Sequence, residues 1–149
     1  MKVSLRSTYG IMAAVDLAMQ SGAAPIQTKS IARRQGIPAR FLEQVLHAMK
    51  KAGLVSSQRG AQGGYVLTRK PSELTVAEIL EALDGPLLPS AELNGRRAFH
   101  PVTTSDALLS KVWDRVHEAE RHVLEAITVE ELAGQQRQIE QRRTLMYHI

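Results

Sequence analysis

Cysteine is absent from all 149 residues. Its absence removes disulfides, thiolate metal sites and thiol nucleophiles together, while leaving the redox compartment undecided. No run reaches the roughly 18 apolar residues a membrane helix requires, and the opening MKVSLRSTYG lacks the apolar centre of a signal peptide. A cytoplasmic location with no membrane partner is therefore expected. Catalytic signatures are missing as well. The glycine-rich run RGAQGGY at 59–65 has neither a Walker Gly-Lys-Ser/Thr ending nor the strand-to-helix context of a dinucleotide fold. The histidines at 47, 100, 117, 122 and 148 show no metal-site spacing, and the 117/122 pair does not share a helix face. No serine sits in a nucleophile elbow. The expectation is a protein that is not an enzyme and carries no cofactor.

Acidic residues are scarce in one half only. Residues 1–70 hold 11 Lys and Arg against 2 Asp and Glu, net +9, whereas residues 71–149 hold 8 against 13, net −5. A basic half attracts polyphosphate, and the acidic half is expected to point away from it. Hydrophobic content of 44% with balanced overall charge indicates a folded chain, long enough for one compact domain and an extension.

Residues 6–20 place Ile11, Met12, Val15, Ala18 and Met19 at helical spacing before SGAAP breaks the run. TKSIARRQG and ARFLEQVLHAMKKAG read as two further helices. Ile31, Ile37, Phe41, Leu42, Val45, Leu46, Met49 and Leu54 are expected to extend the core, with Gly36 as the turn. LVSSQ and YVLT read as strands around a glycine-rich tip carrying Arg59, with Tyr65 and Leu67 alternating against Val66 and Thr68. Helix, turn, helix and basic hairpin make a winged helix, which sets one helix in the DNA major groove and a hairpin against the adjacent backbone or minor groove. The fold class is thus mainly α with a small β wing.

Arg40, Glu43 and Gln44, near the start of the second of these helices, suit base edges: Arg forks onto guanine, Gln pairs with adenine, Glu accepts from cytosine. Ala39 lies beside them. His47, Arg33, Lys50 and Lys51 are candidates for phosphate contact, and Arg59 with Gly60 for the minor groove. A winged-helix module that binds protein or RNA is the alternative use of the same residues.

Thr75-Val-Ala-Glu78 is a capping box that opens a helix with Val76, Ile79, Leu80 and Leu83 inward. Residues 85–105 lack periodicity and read as a loop. From Asp106, Leu109, Val112, Val116, Ala119, Val123 and Ala126 recur at heptad spacing, widened by Trp113 and Leu124. The winged-helix body already has a core, so this stripe is expected to pack on a second copy. Thr128-Val-Glu-Glu131 restarts a short helix, and Leu145, Met146, Tyr147 and Ile149 are expected to dock back onto the chain, or else to bind a partner. The organisation expected is a DNA-binding domain over 1–84, a loop over 85–105, and a dimerisation helix with its extension over 106–149.

The opening MKVSLRSTYGIMAAVDLA, the run SIARRQGIPARFLEQVLHAMKKAGLVSSQRGAQGGYVL, the VAEILEALDGP helix and the ITVEEL restart resemble the Rrf-two family of bacterial transcription regulators over nearly the whole chain. The resemblance implies a homodimer that binds a pseudo-palindromic operator on double-stranded DNA as a repressor. It carries base contacts onto Arg40, Glu43 and Gln44, and the wing arginine onto Arg59. Two departures stand out. Pro38 replaces a capping serine and offers no capping oxygen. Cluster-binding relatives place three cysteines in the 85–105 loop and a histidine near Ser110, and this chain has none of these. LDGPLLP and the YHI ending resemble the cluster-free branch that includes the cysteine-metabolism repressor. That branch implies a link to cysteine and sulfur metabolism, with a cysteine-synthesising enzyme or a small-molecule effector as the controlling partner.

Overall fold

The computed structural model describes residues 1–20, 24–87 and 103–148. Helix α1 (Leu5–Met19) starts at Ser4, whose hydroxyl accepts from the Ser7 amide. Both serine hydroxyls donate to Asp84 at 2.6 Å, which ties the start of α1 to the end of α4. Burial pushes the Asp84 carboxyl up, but these bonds, the Ser4 amide and the Arg6 charge outweigh it and hold the group below the usual aspartate range.

Helices α2 (Thr28–Gln35) and α3 (Ala39–Lys51) meet through Gly36, which is left-handed at φ 66°. Strands β1 (Val55–Gln58) and β2 (Gly64–Leu67) pair antiparallel, from Val55 opposite Leu67 to Gln58 opposite Gly64. Ile26 adds a third edge, exchanging both backbone bonds with Tyr65 at 2.9 and 2.8 Å. The alternation expected in the second strand is seen in the packing: Tyr65 and Leu67 lie against the core, Val66 does not, and Thr68 is exposed. All four β2 residues are half-buried in so short a ribbon.

A 3₁₀ turn (Pro71–Glu73) leads to α4 (Val76–Asp84), whose Thr75/Glu78 capping box is complete. Helix α5 (Thr104–Ala126) has a second complete box, Thr103 with Asp106. Helix α6 (Val129–Tyr147) begins at Thr128, whose hydroxyl accepts from Glu131. It is a 19-residue helix rather than a short restart.

The core is built around α1, which packs against α3, α4 and α6. Leu42, Val45, Leu46 and Met49 bury the inner face of α3 beside Ile31 of α2, each burial being worth about 1.5–3 kcal/mol. Val129 and Ala133 of α6 join this core. The Val129 amide donates to the Leu74 carbonyl at 2.8 Å and the Val76 amide to Ile127 at 2.9 Å, stapling the α5–α6 joint to the start of α4. Gly10 permits the α1–α4 approach, since a Cβ there would run into Leu83.

The tail does not dock. Leu145, Met146 and Tyr147 are 67%, 76% and 81% exposed, because the last turns of α6 run past the body of the chain. Ile149 and most of the 85–105 loop lie outside the described residues.

Candidate nucleic-acid interface

Burying positions 42, 45, 46 and 49 turns the opposite side of α3 to solvent. Arg40, Glu43, Gln44, His47, Lys50 and Lys51 are all exposed there, with Ala39 at the tip. Thirteen residues make a rod about 20 Å long and 10–12 Å across, which matches a major groove about 12 Å wide. None of these side chains enters an ion pair among the described residues. Pro38 supplies no side-chain cap to the start of the helix.

The basic residues sort into two kinds. Arg34 is committed inward: its guanidinium bonds the buried Asp16 carboxylate at 2.7 and 3.0 Å, and Gln35 adds a bond at 2.9 Å. The Asp16 hydrogen bond raises the Arg34 pKa against the opposing effect of burial. Arg69 is likewise engaged, at 2.8 Å from Glu78. Burial pushes Glu78 up, but the Thr75 amide and Arg69 prevail and hold it below the usual glutamate range. Arg33, one residue before Arg34, is exposed and unpaired among the described residues.

One sequence expectation fails on α3 itself. Phe41 is 56% exposed rather than in the core. At 100° per residue the four buried positions span about 100°, and Phe41 falls about 40° outside that arc. Ile37 is buried from the preceding turn while Phe41 is left in solvent.

The wing tip carries Arg59, exposed beside Gly60, whose carbonyl accepts from Gly63 at 3.0 Å to close the turn. Gln27 donates to the Ala61 carbonyl at 3.1 Å, holding the tip to the start of α2. Gly64, at φ 150°, lies so close to Ile26 that a Cβ would strike its carbonyl.

Helix α5 presents a different surface. It buries no residue of its own, and Leu108, Leu109, Val112, Trp113, Val116 and Val123 are 41–64% exposed. Ala119 is exposed on the same stripe. The helix is about 35 Å long and leaves this apolar stripe uncovered among the described residues.

The sequence and fold match known proteins. Residues 3–135 match Rrf2, the Rrf-two family of the resemblance above, which is described as an iron-dependent transcriptional regulator. The chain belongs to the Rrf2 family. Among its relatives, the HTH-type transcriptional regulator CymR of Bacillus subtilis (strain 168) is 35% identical over 134 residues, covering 90% of this chain and 91% of that protein. The solved structure of CymR, the global cysteine regulator of B. subtilis, superposes with a TM-score of 0.75 at 34% identity, covering 90% of this chain and 97% of that one. That of T. potens IscR gives 0.71 at 35% identity, covering 91% and 88%. This Rrf2 member is a DNA-binding transcription regulator built on a winged helix.

Iron in the family description raises the question of a cluster. The donor set here does not fit a thiolate-held one, because the chain has no cysteine. Among the described residues no three His, Asp or Glu side chains gather at metal-binding distance, and no helix is long and apolar enough to cross a membrane.

Proposed function

We propose that this Rrf2 protein binds a pseudo-palindromic operator as a homodimer and acts as a repressor. Arg40, Glu43 and Gln44 read base edges. His47, Lys50, Lys51 and Arg33 hold phosphates, and Arg59 with Gly60 enters the minor groove beside them. The observation that carries the reading is the outward face of α3, where arginine, amide and carboxylate side chains stand exposed, in helical register and unpaired among the described residues. Pairing through the α5 stripe presents two such helices, suiting half-sites about 34–36 Å apart.

Control does not pass through a thiolate-held cluster. The likeness to CymR supports a link to cysteine and sulfur metabolism, with a cysteine-synthesising enzyme or a small molecule as the effector. Such an effector acts only through unequal affinity for the DNA-competent state.

A gel-shift titration at fixed salt tests the contact map. Gln44→Ala loses about 1–3 kcal/mol on operator and little on random duplex, since a base contact carries sequence information. Arg59→Ala weakens operator binding most where the minor groove is narrow. Parental affinity in both variants overturns the map.

A further inference from the structure

We propose that Phe41 reads a thymine 5-methyl group in the major groove, making it a specificity-determining residue beside Gln44. The proposal rests on α3 being the recognition helix. Every other large apolar side chain of α3 is hidden: Leu42 and Leu46 at 0% exposure, Met49 at 0% and Val45 at 3%. Phe41 alone is left in solvent, in the first turn, between Arg40 and the Gln44 turn that follows.

Helical geometry sets what it meets. Phe41 and Gln44 are about 60° apart around the axis and about 4.5 Å apart along it, little more than one base-pair step of about 3.4 Å. A helix that sets the Gln44 amide on one base therefore brings the Phe41 ring to the neighbouring pair. Base edges in the major groove offer donors, acceptors and one apolar group, the thymine methyl. An aromatic ring has no hydrogen bond to offer the rest, so the methyl is its complementary partner. A second copy is not a competing occupant here, because the apolar stripe that accounts for pairing lies on α5.

Replacing thymine by deoxyuridine removes that methyl and nothing else. A duplex enriched by the wild-type protein from a random pool is the probe, with each thymine exchanged in turn. At one thymine per half-site the exchange weakens wild-type binding about fourfold, the equivalent of one buried methyl. Phe41→Ala loses at least as much on the thymine duplex and then no longer distinguishes thymine from deoxyuridine there. Phe41→Leu retains part of the discrimination. Unfolding midpoints of both variants stay at the wild-type value, because the ring packs into no core. A flat deoxyuridine scan with wild-type protein overturns this proposal alone. So does a Phe41→Ala loss that is equal on both duplexes, which is the signature of a backbone contact. Failure to enrich any sequence overturns the recognition-helix reading and this proposal with it.

Discussion

Arg33 and Arg34 are adjacent in sequence and opposite in role. Arg34 covers the Asp16 carboxylate, a residue 1% exposed, in an ion pair, while Arg33 faces solvent unpaired among the described residues. Arg34→Ala leaves the buried carboxylate only its Gln35 bond and is expected to destabilise the fold by about 1–3 kcal/mol in a denaturant titration. Arg33→Ala is expected to leave stability unchanged and to lower the salt slope of DNA binding by about one. Equal stability losses from the two variants would contradict this division. The sequence shows both arginines as basic charge and gives no sign of the difference, because the partner of Arg34 lies 18 residues away on another helix. Phe41 escaped for a related reason. Its spacing from Val45 suits a core face, and only the angular limits of the buried arc put it outside.

At the level of elements, the helices with an apolar period were legible and the polar one was not. Capping signals mark the starts of α4 and α6, and the heptad stripe marks α5. The length of α6 left no apolar trace. Its GQQRQIEQRR stretch is polar apart from a single exposed Ile139, so its helicity rests on the good helix propensity of Gln, Glu and Arg rather than on burial. The α5 stripe was readable because an uncovered apolar face still needs an apolar period. In the dimer, Val116→Glu sets a charge against each partner stripe. That variant is expected to fold, to run as a monomer in light scattering and to bind operator weakly; a dimer mass would reject α5 as the pairing surface.

For the molecule as a whole, the basic half coincides with the winged helix and the acidic half with α4 to α6, so charge alone orients the chain on a polyanion. Without cysteine it has no thiolates to hold an iron–sulfur cluster. Protein purified without oxygen is therefore expected to be colourless, with operator affinity indifferent to iron and nitric oxide. Visible absorbance with stoichiometric iron and sulfide would sink that expectation. The central claim, that a pair of these chains reads DNA sequence, is tested most directly by selection from a random duplex pool followed by competition against scrambled duplex at fixed salt. The account predicts a dyad-symmetric consensus bound at least about 10³-fold more tightly than the scrambled control. Equal affinity for both duplexes would contradict it.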